Sequence, residues 1–149
     1  TISYLNSIGG VSAEIIDGDG NDVYSVRNVA STTTTNIGIQ DGSGNDRYTY
    51  TQGTQASADV VIVTDSDGTN RYSIDTGTGN DEVTIKDGAG QSNYSIRLGD
   101  GDDSLTVTDS GSKDNYNLDG GRGTDVLART DNYPDDKDTV NVRNFETIL

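Results

Sequence analysis

Cysteine and histidine are both absent from this chain of 149 residues, and proline occurs once. Without cysteine there is neither a disulfide framework nor a thiol nucleophile, which fits an extracellular protein stabilised by other means. Without histidine the commonest general base is missing. Glutamate is scarce as well: of 25 acidic residues 3 are Glu and 22 are Asp. Hydrophobic residues make up only 30% of the chain, which puts a thick globular core out of reach. No apolar run approaches the length of a membrane span. No signal-peptide pattern opens the chain, which reads as a processed product or an excised segment.

The net charge of −15 argues against nucleic acid and anionic membranes as partners, and for cations. The short Asp side chain serves turns and oxygen-ligand cation sites. Such a composition would ordinarily point to disorder. A regular pattern contradicts that.

An eleven-residue phrase recurs four times, beginning at Gly77, Gly88, Gly99 and Ser110: GTGNDEVTIKD, GAGQSNYSIRL, GDGDDSLTVTD and SGSKDNYNLDG. Its first half is a Gly-x-Gly-x-Asp turn, and its second half alternates outward and apolar residues as a short strand does. One unit cannot bury its own apolar face, so copies stack. The first apolar residues of the candidate strands are spaced by 11, with three gaps of 13. Thirteen strand slots, from Ile2 to Val140, cover residues 1–149 as one repeat domain. The last of them lies in a C-terminal tail, 130–149, that caps the array or docks.

From Tyr24 onward the slot alternates tyrosine with an aliphatic residue: Tyr24, Ile37, Tyr48, Val61, Tyr72 and Val83, then Tyr94, Leu105, Tyr116 and Leu127. The true repeat is therefore about 22 residues. The expected fold is all-β: a flattened two-sheet parallel β-solenoid of six to seven coils, with a tyrosine ladder in one sheet and an aliphatic ladder in the other. The tyrosines fill the interior and reach an edge with their hydroxyls. Arg129 interrupts the next inward row, so its coil is expected to be frayed or covered by the tail.

The turns fall on two edges. One edge holds residues 18–22, 42–46, 66–70, 88–92 and 110–114, and the other 77–81, 99–103 and 121–125. On the second edge Asp81, Asp103 and Asp125 stack as a column of like charges. At about 5 Å and an effective dielectric of about 20, each neighbouring pair costs about 3 kcal/mol. A hard dication held by these carboxylates and by the carbonyls of the glycine turns, Gly77, Gly79, Gly99, Gly101, Gly121 and Gly123, would relieve it, and Ca²⁺ suits such flexible geometry. On the first edge an Asp precedes every turn, at Asp17, Asp41, Asp65, Asp87 and Asp109, and offers a second candidate metal column.

These turns resemble the haemolysin-type, or RTX, calcium-binding repeat, Gly-Gly-x-Gly-x-Asp-x-apolar-x. GGRGTDVLA at 120–128 matches it in full; TGTGNDEVT and LGDGDDSLT lack only the first glycine. The resemblance implies a parallel β-roll with several Ca²⁺ ions between coils. It assigns metal ligation to Asp81, Asp103 and Asp125, and by weaker matches to Asp22, Asp46 and Asp114. Units of eleven residues rather than nine, and Asn70 and Ser92 in place of aspartate, depart from that pattern.

Catalysis finds little support, since the turn pattern already accounts for paired acids such as Asp102 and Asp103. The favoured reading is a calcium-folded structural module of a secreted or cell-surface protein, bacterial by its resemblance, acting as spacer, adhesin segment or assembly unit. Its two open ends make end-to-end self-association into filaments a further expectation. The alternative is the secretion and folding domain of a larger type I-exported hydrolase or toxin. Ice binding ranks last, because the outward rows mix Arg, Asn, Glu, Ser and Thr.

Overall fold

The structure, a computed structural model, describes residues 1–6, 12–28, 33–53, 56–111, 113–133 and 137–149, without the side chains of 4–6. Pro134, Ser112 and parts of two insertions, 30–32 and 54–55, lie outside the described residues. No helix occurs among the described residues.

Two seven-stranded parallel sheets face each other. The tyrosine sheet contains β1 (Ile2–Asn6), β3 (Val23–Asn28), β5 (Arg47–Gln52), β7 (Arg71–Asp75), β9 (Asn93–Asp100), β11 (Asn115–Arg122) and β13 (Thr139–Arg143). The aliphatic sheet contains β2 (Ser12–Ile16), β4 (Thr35–Gln40), β6 (Asp59–Thr64), β8 (Glu82–Lys86), β10 (Ser104–Asp109), β12 (Val126–Asp131) and β14 (Thr147–Ile148). The chain alternates between sheets, so every strand but the end ones, β1, β2, β13 and β14, pairs with the strand one coil earlier and one coil later. Tyr72 is opposite Tyr94, 22 residues on, whereas Tyr48 is opposite Tyr72, 24 residues on. A two-residue insertion is thus absorbed in a turn without shifting the register, because a slip by one residue would turn every inward side chain out.

Alternation decides what is buried. In β5 the pattern runs exposed Arg47, buried Tyr48, half-buried Thr49 and buried Tyr50. The inward rows interlock as a core whose members are all at most 4% exposed, with Tyr72, Val83, Ile85, Leu105, Val107 and Leu118 at zero. The rings of Tyr24, Tyr48, Tyr72, Tyr94 and Tyr116 stack with centroids 4.5 to 5.2 Å apart and planes within 10°. Coil spacing of about 4.8 Å imposes this, since each ring sits one strand from the next.

One expectation is corrected. Among the described residues there are fourteen strands rather than thirteen: Thr147 and Ile148 return to the aliphatic sheet beside Val126 and Leu127. Of the two outcomes expected for the coil of Arg129 the second holds: the tail covers it, with Thr147 and Ile148 paired to its strand, and it is not frayed. Its strand pairs with β10 along six residues, and the guanidinium lies 4.3 Å from the centroid of the Tyr116 ring. It also bonds to Asp138 and, at 3.3 Å, to Asp131, so the charge is not buried alone.

Candidate metal centre

Each edge carries a column of acceptors that ties one coil to the next. On the first edge the backbone N–H of Asp22 donates to Asp46 Oδ1 at 2.7 Å, that of Asp46 to Asn70 Oδ1 at 3.0 Å, and that of Asn70 to Ser92 Oγ at 3.2 Å. Ser92 N–H donates to Asp114, and Asp114 N–H to Asp138 Oδ1 at 2.8 Å. On the second edge Asp59 N–H donates to Asp81, Asp81 to Asp103, Asp103 to Asp125, and Asp125 to Glu146, at 2.7 to 2.9 Å. The last residue of the Gly-x-Gly-x-Asp phrase is therefore first an inter-coil hydrogen-bond acceptor. That is why Asn and Ser replace Asp at 70 and 92: each offers an oxygen at the same height without a charge.

The Asp residues that precede the first-edge turns have a different partner. Tyr24, Tyr48, Tyr72, Tyr94 and Tyr116 donate their hydroxyls to Asp17, Asp41, Asp65, Asp87 and Asp109, each seven residues earlier. The other oxygen of Asp17, Asp41 and Asp65 accepts the N–H of the following residue, and that of Asp109 accepts from Gly111. The tyrosine ladder and this acid column are one structure, spaced by the strand-to-turn geometry.

The turns themselves are closely stacked. Gly77, Gly79, Gly99, Gly101, Gly121 and Gly123 all have positive φ. A Cβ on Gly101 would lie 1.8 Å from the carbonyl oxygen of Gly79. The hydrogen-bond ladder also continues through the turns: Gly79 N–H donates to Asp100 O, and Asp100 N–H to Gly77 O, both at 2.9 Å.

What these networks leave over is the second carboxylate oxygen. Oδ2 of Asp46, Asp81, Asp103, Asp114 and Asp125 is buried with no hydrogen-bond partner. Burial is the leading cause that lifts Asp81 to about 7 and Asp103 to about 6, opposed by the backbone N–H each accepts. Asp114 is lifted to about 8 by burial and by Asp109 beside it. Asp46 and Asp125 are raised for the same leading reason. On the first edge one oxygen each of Asp22, Asp41 and Asp46 lies within 4.8 Å of the others. Among the described residues this is the one group of three acids so close together. Its donors are all hard oxygens, and Asp46 Oδ2 is the partnerless one, so the set fits a hard dication.

Asp59 and Asp138 belong to the two columns and escape a motif reading. Asp59 follows a stretch that has lost its glycine turn. A side-chain network stands in there: Tyr50 donates to Asp59 Oδ2 at 2.6 Å, Ser57 to Asp59 Oδ1 at 3.0 Å, and Gln52 to Ser57 Oγ at 2.7 Å. The signal available was the 22-residue offset from Asp81, not the local sequence.

Comparison with protein-family models, curated proteins and solved structures finds no match to this chain.

Proposed function

We propose that this chain is a cation-stabilised structural repeat module, with Ca²⁺ as its ion, in a secreted or cell-surface protein. One observation carries the reading. In the middle of the first edge, Asn70 donates its side-chain amide to Asp87 at 3.1 Å, so a hydrogen-bond donor meets the neighbouring acid column. At Asp46 the same position is a carboxylate whose second oxygen is buried and unmet, with Asp41 and Asp22 beside it. A buried, partnerless carboxylate oxygen is costly, and a cation supplies what the amide supplies one coil later.

Asp22, Asp41 and Asp46 would hold the ion. Asp81, Asp103 and Asp125 offer a second row of unmet oxygens on the opposite edge. When bound, a dication supplies positive charge and oxygen coordination in place of water. The chain's own residues do the rest: the columns align the coils, and the tyrosine hydroxyls hold the preceding acids in place. Resemblance of the turns to the RTX repeat supports Ca²⁺ over other hard ions, and the exported location with it. The role is structural rather than catalytic.

The test is thermal unfolding followed by circular dichroism, in chelator and across a calcium titration, with calorimetry for stoichiometry. Saturable binding with a rise in the unfolding temperature is expected, because an ion that binds only the folded chain stabilises it by mass action. No calorimetric binding together with an unfolding temperature indifferent to calcium would overturn the reading.

A further inference from the structure

The ten basic residues of this acidic chain are unevenly placed. Five, Arg27, Arg47, Arg71, Arg97 and Arg143, lie on the outer face of the tyrosine sheet, and all five are exposed. The outer face of the aliphatic sheet carries one, Lys86. Arg143 pairs with Asp119 at 3.0 Å, but the other four make no salt bridge among the described residues. Register sets Arg47 directly beside Arg71, so two unpaired guanidinium groups project one coil apart. Like charges opposite each other weaken a sheet, so the fold gains nothing from this pair.

The face is also grooved. Its central row is short, with Ser25, Thr49, Ser73 and Ser95 in register, while longer side chains flank it on both sides. Two hollows of about 340 and 310 Å³ result, the larger mainly polar and the smaller mainly apolar in lining, and they meet at Ser95 and Asn117. Together they form a trough along the coil axis, floored by hydroxyls and walled by guanidinium, amide and carboxylate groups.

We infer that this outer face binds a linear acidic polysaccharide laid along the coil axis. Each uronic-acid unit offers a carboxylate and several hydroxyls. Guanidinium groups grip carboxylates through paired, charge-assisted hydrogen bonds, and the Ser, Thr and Asn rows serve the hydroxyls. Because the rows advance about 4.8 Å per coil, a linear chain laid along the axis meets arginines in succession, Arg47 and Arg71 on one flank and Arg97 and Arg143, set among Asp75 and Asp119, on the other. Single-stranded nucleic acid fits less well. Among the described residues the outer face carries no aromatic side chain for base stacking.

The probe is a short oligogalacturonate added to the full calcium-saturated chain in calorimetry, with a neutral malto-oligosaccharide and oligothymidylate of equal length alongside. Saturable binding to the acidic sugar alone, weakening as salt rises, is expected. Arg47→Ser combined with Arg71→Ser should weaken it about tenfold or more, while Arg122→Ser on the second edge should leave it unchanged. Circular dichroism reports whether the double variant folds, and if it does not, Arg27→Ser with Arg97→Ser replaces it with the same expectation. Absence of binding overturns the inference, as does equal or tighter binding of either comparison ligand. Undiminished binding by the folded arginine variants overturns it too, since calcium bridging at the acidic edges would then carry the contact.

Discussion

The guanidinium of Arg129 covers the ring of Tyr116 at 4.3 Å, closing a stack that the next strand does not continue, because Val140 takes the tyrosine slot there. The same group bonds to Asp131 and Asp138, so one arginine ends the aromatic ladder and neutralises two acids of the last coil. Arg129→Leu would restore an aliphatic row but take the cation away from both carboxylates. A loss of about 2 kcal/mol in urea unfolding is expected, and Arg129→Lys should recover only part of it, since an ammonium cannot both lie flat on the ring and bond to two acids.

Tyr72 separates packing from hydrogen bonding. Its hydroxyl donates to Asp65 at 3.2 Å, deep in the core. Tyr72→Phe keeps the ring between Tyr48 and Tyr94 but leaves a buried carboxylate oxygen unmet, and should destabilise by about 1–2 kcal/mol with the near-ultraviolet dichroism retained. Tyr72→Leu should cost more and lose that signal.

Asp103 has two oxygens with two fates, one accepting from Asp81 N–H at 2.8 Å and the other partnerless. Asp103→Asn keeps the acceptor, as Asn70 does naturally, and removes a charge. In chelator this variant should match or exceed the parent in unfolding temperature, while its calcium-induced gain shrinks. Asp103→Ala loses the acceptor as well and should fall by about 1–3 kcal/mol under both conditions. Identical behaviour of the two variants would refute the division of labour.

Acid should stabilise the ion-free chain. Burial raises Asp65 and Asp81 to about 7, Asp103 to about 6 and Asp114 to about 8, against about 3.9 for an unfolded aspartate. Groups raised in the folded state contribute stability that is fully present below the unfolded value and lost as pH climbs through the folded one. In chelator the unfolding temperature should therefore decline between about pH 4 and pH 8, and calcium should flatten or reverse the trend. An ion-free protein that gains stability across that window would contradict the burial of these carboxylates.

Two glycines test the closeness of the coils. Gly101 has φ of +149° and faces the Gly79 carbonyl, so Gly101→Ala should cost several kcal/mol, on the order of 3. A Cβ on Gly38 would meet nothing within 4 Å, so Gly38→Ala on the outer face should be neutral or stabilising by up to about 1 kcal/mol.

Period, sheet count and the inward rows were legible in the sequence by itself. A solenoid contact is always to the residue one coil away, so a local alternation and a regular spacing together specify almost every core neighbour. Tyr24 to Tyr116 and Leu105 to Leu127 could be placed without coordinates for that reason. The edges were different. Whether an aspartate oxygen faces a backbone N–H, a tyrosine hydroxyl or nothing depends on how side chains turn at a corner, and no spacing encodes that. Only the tertiary structure revealed that Asp41 serves Tyr48 while Asp46 serves Asp22, and that Asp59 fills a column position where the glycine motif had vanished. It also placed Arg129, an apparent fault in an apolar row, over Tyr116 and beside Asp138, because an arginine's long stem reaches partners that lie outside its own strand.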